Sequence, residues 1–508
     1  MKSHVSNFDA FDAVEPFDVC VIGAGLAGCT VALRLVRAGL RVLLIDSASL
    51  RELESPRPRR CEINGDTRYA SARRKPWDGA CERLERGDFR AHPYDDRSNP
   101  WPIGYADLEP HYRAAERLLR VRGPFSRPNP CLPERKRRRG ERKLEAWIRE
   151  RGMDVRSVAL ATPGTGRRFL PVRELLPEFV ATRTGTLVTS VTATRLRTDD
   201  NGRVIGALCR APDGTAKTAR ALSYVIAAGA IETPRLLLLS RTRRSPLGLG
   251  NERDRVGRGF ADQAVVDAYG SLLPSAVCWP ARSMLVHTDE FHRLFRRDGL
   301  GSIHPFLRSL DPLEHARRLG KGLPGRLSAV LTGWRRLSLA ASCRVEIAPS
   351  DTNRISLSRA SKDEFGDPIA RIDFDFSHED LRLIAKVRAW LERWLDRFGA
   401  IEKSQGEIDW ADTPTGTCRM GVDARTSVCD ASLRVHTTPN LYVCGGAVLP
   451  RVGALPIELT VAALADRLAD HLVARARWCA RSSARPQRAA EAHPVATPIP
   501  LVRRRPQS

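Results

Sequence analysis

FDVCVIGAGLAGCTVALRLVRAGLRVLLID, residues 17–46, is the stretch that decides the fold of this chain. Its pattern predicts a strand, a glycine turn, a helix and a second strand, at residues 19–22, 23–28, 30–37 and 41–45. A βαβ unit of this kind is typical of a parallel sheet with helices packed on its faces. We therefore expect an α/β protein that contains a Rossmann-like domain.

The turn carries the motif GxGxxG, formed by Gly23, Gly25 and Gly28. The first glycine permits the tight turn, the second lets the backbone approach a pyrophosphate, and the third allows close packing of helix on strand. The following helix presents unbonded N–H groups and a positive dipole end to phosphate. Asp46 follows Gly28 by 18 residues, where a carboxylate can accept hydrogen bonds from ribose. The pattern predicts dinucleotide binding, and an ordinary glycine turn is the structural alternative.

The chain has 508 residues, 42% of them hydrophobic, and a formal net charge of +24, as expected of a soluble but strongly basic protein. Part of the charge lies in residues 134–143, ERKRRRGERK, and in the tail 474–508. Basic patches can bind nucleic acid, anionic lipid or an acidic subunit, but no nucleic-acid motif accompanies these. We therefore expect a solvated loop, a disordered tail and no nucleic-acid partner, while peripheral membrane contact stays open.

The twelve cysteines are scattered and no pair has CxxC spacing, so no metal site, redox dithiol or iron–sulfur cluster is predicted. Residues 1–18 are polar and acidic and lack the pattern of a secretory signal. No apolar run reaches the roughly 18 residues that span a bilayer. A cytoplasmic protein with reduced, buried thiols is expected.

Three segments in which a strand runs into glycine are spread along the chain, at residues 17–28, 221–229 and 440–446. This spread predicts one cofactor-binding domain assembled from residues 15–264, including a long loop at 55–100, and from residues 430–473. Between them, residues 265–429 contain short predicted strands and a long amphipathic helix at 378–398. We expect these residues to form an inserted, antiparallel-sheet substrate domain.

Several further segments, in the same order, resemble the glucose–methanol–choline (GMC) family of FAD-dependent oxidoreductases. They are VIGAGLAG (21–28), WDGACERLERGDF (77–89), WPIGYADLEPHYRAAE (101–116), AAGAIETPRLLLLS (227–240), VGRGFADQ (256–263), DTNRISLSRASKDEFGDP (351–368), TPTGTCRMG (413–421) and residues 426–472. The resemblance implies FAD as cofactor and an alcohol or sugar-like substrate whose CH–OH group is oxidised with hydride transfer to flavin N5. It also allows for a separate electron acceptor.

The resemblance also assigns residues to the cofactor. The glycine turn and Asp46 would hold the adenosine and pyrophosphate, the loop around Trp77 would line the flavin, and the last glycines would approach pyrophosphate and ring. The assigned residues are Gly23, Gly25, Gly28, Asp46, Trp77, Gly79, Gly229, Gly445, Gly446 and Ala447. Core packing is the alternative role for Trp77, and it is the favoured role for Trp101.

The chain departs from the family at the usual catalytic pair. Where the family has a histidine before Pro-x-Gly-Thr, this chain has Thr413, and where it has a second His or Asn, this chain has Pro456. Neither side chain can act as a base near neutral pH, and loss of a general base typically costs about 10²–10⁴ in rate. Asp412 and Glu458 are candidate substitutes, with a loop hydrogen bond and a helix N-terminus as their alternative roles.

Two smaller departures lie nearby: residues 71–74 read Ser-Ala-Arg-Arg where the family usually has Gly-Gly-x-Ser, and Gln263 stands where the family often has His. The sequence favours an FAD-dependent dehydrogenase or oxidase with an altered site. A catalytically degenerate relative, with or without flavin, and a non-redox lyase on the same fold stay open. An NAD-dependent dehydrogenase is the more distant alternative.

Overall fold

The computed structural model of the chain describes residues 8–12, 15–54, 59–64, 66–70, 77, 79–90, 100–123, 145–152, 156–157, 159–164, 169–272, 286–287, 303–310, 337–451 and 453–490. The strands among them are β1 (Phe17–Ile22), β2 (Val42–Ile45), β3 (Arg59–Ile63), β4 (Asp66–Ala70), β5 (Arg156–Ser157), β6 (Gly185–Val188), β7 (Thr192–Thr198), β8 (Val204–Arg210), β9 (Ala216–Ala219), β10 (Ala221–Ile226), β11 (Gln263–Leu272), β12 (Val286–His287), β13 (Ile303–Leu310), β14 (Leu337–Glu346), β15 (Arg354–Lys362), β16 (Pro368–Asp373), β17 (Ile401–Gln405), β18 (Asp409–Trp410) and β19 (Leu441–Val443). The α-helices are α1 (Leu26–Arg37), α2 (Leu50–Glu54), α3 (Tyr105–Leu118), α4 (145–149), α5 (Pro171–Glu174), α6 (Leu176–Ala181), α7 (Gly229–Leu239), α8 (His378–Arg397) and α9 (Glu458–Ala490). Short 3-10 helices lie at Phe8–Asp12, Arg86–Phe89 and Gly446–Val448.

A parallel five-stranded sheet with the order β19–β10–β1–β2–β6 forms the first layer. Val21 of β1 lies opposite Val225 on one side and Leu44 on the other. Strands that are covered on both faces are apolar throughout, as in β2, whose four residues are all buried. Three strands from distant parts of the chain are thus neighbours, which confirms the expected Rossmann-like domain.

Helix α1 packs on β1 and β2 of this sheet, and α9 packs on both α1 and α3. Helix α9 continues to Ala490, so residues 474–490, for which the sequence predicts disorder, are helical. Its alanines and arginines favour helix, and Arg475 Nη1 donates to Pro439 O (3.0 Å) and Tyr442 Oη (2.9 Å). Residues 491–508 lie outside the described residues. Among the helices described, α9 included, none combines the length and the apolar character that a bilayer crossing requires.

The second layer is an antiparallel sheet with the order β17–β11–β14–β13–β12–β5, in which β18 also pairs with β11. Helix α8 packs on β11 and β14 and begins in a capping box, since Ser377 and Asp380 bond each other's backbone N–H. This sheet is the antiparallel sheet expected for the second domain.

Strand pairing crosses the division that the sequence suggested between residues 264 and 265. Strands β3 and β4, which lie in the segment 55–100 expected to be a long loop, join β15 and β16 in a four-stranded sheet. Residues 187–196 belong to two strands in different sheets: β6 ends at Val188 and pairs with β2, Ser190 has a positive φ of 59°, and β7 pairs with β8. The strands in segment 55–100 are missed because the partner of β3 outside its hairpin, β16, is distant in sequence.

Candidate active site

A cavity of about 690 Å³ opens at the carboxyl ends of the central parallel strands. Its wall includes Ile22 at the end of β1, Ile45 at the end of β2 and Ala227 just after β10, together with the first turn of α1. Ligands of open parallel sheets bind at this edge, and the volume lies within the roughly 300–1,000 Å³ of small-molecule sites. We therefore take this cavity as the candidate active site.

The glycines of the motif are required by close backbone contacts. Gly23 has a φ of +108°, and a Cβ there would lie 2.5 Å from Ala227 O. A Cβ on Gly28 would lie 1.8 Å from Gly23 O, so this glycine sets the approach of α1 to the sheet. Gly25 is the N-cap of α1 and lines the cavity. The motif thus leaves the N-terminus of α1 open to a ligand.

Asp46 follows β2 on the same wall. Its Oδ2 accepts from Ala24 N at 2.6 Å and its Oδ1 accepts from Ala48 N at 2.8 Å. The carboxylate therefore fixes the glycine turn. Since each carboxylate oxygen has two lone pairs, it can still accept from a ligand hydroxyl.

These residues fit the FAD pyrophosphate that the family resemblance implies. The first turn of α1 has no acidic residue, so its free N–H groups and dipole favour an anion. Gly229, Gly445 and Gly446 also line the cavity, and nothing lies within 4 Å of where a Gly229 Cβ would be. The cradle is thus lined by main chain rather than by bulky side chains.

Other residues assigned to FAD do not lie on the cavity wall. Trp77 Nε1 donates to Ala80 O (3.1 Å), and its ring contacts Phe169 edge-on at 5.8 Å between centroids. Ala447 is fully buried, and Gly79, like Gly28, is buried away from the wall. Residues 71–74, where this chain lacks the family's Gly-Gly-x-Ser, lie outside the described residues.

The wall is acidic although the chain is strongly basic. Eight of the lining residues are acidic and three are basic, so the site itself favours cations. The acidic residues are Asp46, Glu52, Glu232, Asp363, Glu364, Asp367, Asp412 and Glu458, and the basic residues are Arg60, Arg235 and Lys362. Arg235 pairs with Glu232 (3.0 Å) and Asp363 (2.5 Å). These pairs offset part of the negative charge, as does the pair of Asp367 with Arg195 (2.6 Å). Asp412, Glu458 and Thr413 line the same cavity.

Thr413, at the position of the family's histidine, lines the cavity and is bound to a buried carboxylate that the sequence analysis did not single out. Both its N–H and its Oγ1 hydroxyl donate to Asp262 Oδ1, each at 3.0 Å. Gln263 N donates to the same oxygen at 2.7 Å. Burial raises the pKa of Asp262 to about 7, against the hydrogen bonds, and the charge of Asp412 raises it further. The only sequence signal was its place in VGRGFADQ, because 151 residues separate the two partners.

Pro456, at the second catalytic position, is buried and is not part of the cavity wall. The loop before it is fixed by Gln263, whose Nε2 donates to Gly453 O (3.1 Å) and Leu455 O (2.7 Å). Gln263, which replaces a common family histidine, thus holds the backbone of this loop. The structure brings the two altered catalytic segments and Asp262 together at one end of the cavity.

A buried ion pair supports the same loop. Arg451 Nε lies 2.5 Å from Glu346 Oε1 and its Nη2 lies 2.9 Å from Oε2, with side-chain exposures of 7% and 1%. Trp101 Nε1 donates to Arg451 O (3.1 Å), and its ring contacts Phe89 at 4.8 Å between centroids. The ion pair of Glu346 and Arg451 joins β14 to the segment before Pro456. The contacts of Trp101 are those of a side chain that packs in the core.

One group of potential metal ligands occurs among the described residues, formed by His111, Asp466 and Asp470. Arg34 already pairs with both carboxylates, at 2.6 Å to Asp466 and 2.7 Å to Asp470. His111 Nδ1 lies 2.8 Å from Asp466. This ion-pair network accounts for the cluster, which lies away from the cavity wall.

Fold and site together define a flavin-dependent oxidoreductase with its cofactor cradle at the edge of a parallel sheet. Sequence models described as GMC oxidoreductase match residues 98–265 and 349–465, and a model described as FAD dependent oxidoreductase matches residues 18–53. The paromamine 6'-oxidase of Streptomyces fradiae is 30% identical, over 92% of this chain and 93% of its own length. The chain therefore belongs to the GMC oxidoreductase family.

Other relatives have related activities. The 6'''-hydroxyparomomycin C oxidase of Streptomyces lividus is 29% identical over 91% of this chain and 94% of its own length. The fructose dehydrogenase large subunit of Gluconobacter japonicus is 25% identical over 90% and 97%. The chain is thus an FAD-dependent oxidoreductase that acts on CH–OH groups of an alcohol or sugar-like small molecule.

Solved structures show the same fold. The pyridoxine 4-oxidase of Mesorbium loti has a TM-score of 0.61 at 18% identity, and covers 90% of this chain and 99% of its own. A formate oxidase of Aspergillus oryzae has a TM-score of 0.65 at 15% identity, with 91% and 99% covered. These likenesses extend over almost the whole length of both chains.

Proposed function

We propose that the protein oxidises a hydroxyl group of an amino sugar or a related cationic polyol. The observation that carries the proposal is that two carboxylates, those of Asp412 and Glu458, line the cavity together with Thr413. A protonated amine of the substrate would bind there, since the partly buried site strengthens charge pairing. Paromamine, the substrate in one relative's name, is an amino sugar.

We propose that FAD is held by the cradle described above, with its pyrophosphate on Gly23, Gly25 and the N-terminus of α1, and its ribose on Asp46. Gly229, Gly445 and Gly446 would let the cofactor approach the main chain. When bound, FAD supplies the acceptor for the hydride that leaves the substrate carbon. Trp77, Gly79 and Ala447 would support the site from behind the wall.

Within the protein, the Thr413 end of the cavity would orient the substrate hydroxyl. The left-handed backbone of Asp412, with a φ of 56°, turns this segment at the wall. Such a conformation costs about 1–3 kcal/mol in a non-glycine residue and recurs at functional sites. Asp412 and Glu458 would bind the amine. The variants Asp412→Asn and Glu458→Gln also test the predicted role of these residues as substitute bases.

A separate electron acceptor and a cytoplasmic location are part of this proposal. A net charge of +24 attracts acidic proteins, and oxygen uptake compared with reduction of a soluble dye tests the acceptor. Buried thiols at Cys20, Cys209, Cys343, Cys418, Cys429 and Cys444 suit a reducing compartment.

The experiment is anaerobic reduction of the bound flavin by matched substrates, for example glucosamine against glucose. We expect faster reduction by the amino sugar. Asp412→Asn and Glu458→Gln should raise its KM about 10- to 100-fold, from roughly 1.5–3 kcal/mol for a hydrogen bond to a charged group. The KM of the neutral sugar should stay within about twofold. Equal reduction by both sugars, unaffected by the variants, would refute the amine-binding role.

A further inference from the structure

Asp262 is a buried carboxylate that is hydrogen-bonded to Thr413 of the cavity wall. It is 6% exposed, and within the described part of the chain no Lys, Arg or His lies within ion-pair distance of it. Buried carboxylates without a cationic partner are rare, because the charged form loses its hydration. Such groups with a shifted titration concentrate at functional sites.

Two short segments hold the carboxylate in place. Ala261 N donates to Thr415 O (3.2 Å) and Thr415 N donates to Ala261 O (2.8 Å), which pairs the residue before Asp262 with a residue two positions after Thr413. The Thr413 hydroxyl is therefore held at 3.0 Å from Asp262 Oδ1 by backbone pairing as well as by its own contact. This geometry is built into the fold and does not depend on a flexible side chain.

We propose that Asp262 is the proton acceptor of the oxidation, and that the Thr413 hydroxyl relays the proton from the substrate hydroxyl to it. The inference rests on the proposed function, because it requires a substrate hydroxyl at this end of the cavity. A threonine hydroxyl both donates and accepts, so it can pass on a proton without being a base. Thr413 would make the contact with the substrate hydroxyl that the family's histidine makes, and Asp262 would supply the base.

The step balances in protons and electrons. The substrate O–H bond breaks and its proton goes to Thr413 Oγ1, while the proton of Thr413 moves to Asp262 Oδ1. The C–H bond breaks and hydrogen leaves with its electron pair to the FAD of the holoenzyme, which is the established redox partner. The oxygen that lost its proton forms a C=O bond, so the products are the carbonyl compound and a neutral Asp262 side chain.

The charges around Asp262 suit this role. Burial raises the pKa of Asp262 to about 7. At a pH near this value about half of the Asp262 carboxyl groups are deprotonated, and a carboxylate with this pKa is a stronger base than an ordinary one. Asp412 adds to the shift from the neighbouring segment. Arg344 of β14 donates to the side chain of Gln263, the residue after Asp262, at Oε1 (3.4 Å). The opposite charges of Glu346 and Arg451 compensate each other, since the two residues form an ion pair. Deprotonation of Asp262 should therefore control activity.

The test measures the pH profile of flavin reduction in holoenzyme variants. The wild-type rate should rise with pH through a midpoint near 7, since the acceptor must be deprotonated. Asp262→Asn and Thr413→Val should each lower the rate about 10²–10⁴-fold, and the double variant should lose little more than either. Thr413→Ser, which keeps a hydroxyl, should retain the wild-type profile with a rate within about tenfold.

A matched control is Asp380→Asn in the capping box of α8, another buried, hydrogen-bonded carboxylate far from the cavity. It should leave the pH midpoint unchanged. Asp412→Asn should move that midpoint to lower pH, because it removes a neighbouring negative charge. A merely structural role of Asp262 would lower stability or flavin content in Asp262→Asn without removing the midpoint from the remaining activity.

A spectroscopic readout separates this inference from the proposed function. The infrared carbonyl band of a protonated carboxylic acid should titrate near pH 7 in the flavin-loaded protein without substrate, and should be absent from Asp262→Asn. In Thr413→Val the band should titrate at higher pH, since a hydrogen bond to the carboxylate is lost. If Asp262→Asn does not fold, the Thr413 variants still decide the relay. A wild-type rate and pH profile in Thr413→Val would overturn the inference, and so would an unchanged infrared band and pH profile in Asp262→Asn. If the infrared band titrates near pH 7 but no sugar reduces the flavin, only the proposed function is overturned.

Discussion

Replacing Glu346 by glutamine should destabilise the protein by about 3–5 kcal/mol. The carboxylate is 1% exposed and both of its oxygens bind Arg451, which is itself 7% exposed. Glutamine keeps the shape but removes the charge, so the buried guanidinium of Arg451 loses its main carboxylate partner. Breaking a buried ion pair on one side has this cost because the remaining ion has lost its hydration. Glu346→Met with Arg451→Met should recover much of the loss, since no buried charge remains.

The assay is denaturant unfolding of the variants and wild type with excess FAD, so that flavin loss does not change the reference state. The control is Glu178→Gln, which breaks the half-exposed pair between Arg37 and Glu178 (2.6 Å) and should cost under about 1 kcal/mol. Because Arg451 lies in the segment before Pro456, Glu346→Gln should also raise the KM of the substrate. A Glu346→Gln protein as stable as Glu178→Gln would refute the claim that the pair is buried and charged.

Three further predictions concern the cofactor, the pH dependence and the last helix. Gly25→Leu should purify without flavin, because a side chain at the N-cap of α1 would occupy the cradle; a full flavin spectrum of this variant would place the pyrophosphate elsewhere. Between about pH 4 and 7, folded Asp262 holds a proton that the unfolded chain releases, so the contribution of Asp262 to the free energy of unfolding should fall with rising pH. The shift of about three pKa units corresponds to about 4 kcal/mol; Asp262→Asn should lack this slope, and parallel pH curves would contradict the raised pKa. Truncation after Val473 should lower the thermal midpoint, since it removes the two hydrogen bonds of Arg475, worth roughly 0.5–1.5 kcal/mol each; an unchanged midpoint would show that the basic part of α9 does not stabilise the body.

Much of the fold could be predicted from the sequence because its signals are local. The βαβ unit around Gly23, the helix α8 and the antiparallel sheet of the second half all follow from apolar periodicity and turn residues within short windows. The family resemblance extended this to the cofactor and the class of reaction. The signals failed at segment 55–70, whose strand β3 pairs with the distant strand β16, and in the tail, where Arg475 donates hydrogen bonds to Pro439 and Tyr442.

The candidate site was predictable only in part. The sequence by itself determined the glycine cradle, Asp46 and the loss of the usual catalytic pair at Thr413 and Pro456, because each is legible in a contiguous motif. Only the tertiary structure decided what stands behind Thr413. The contact with Asp262 joins segments 151 residues apart, and the shift of that carboxylate's pKa comes from burial, which depends on everything packed around it. Local sequence specifies which groups are present, whereas their protonation and reach are set by neighbours that only the folded chain brings together.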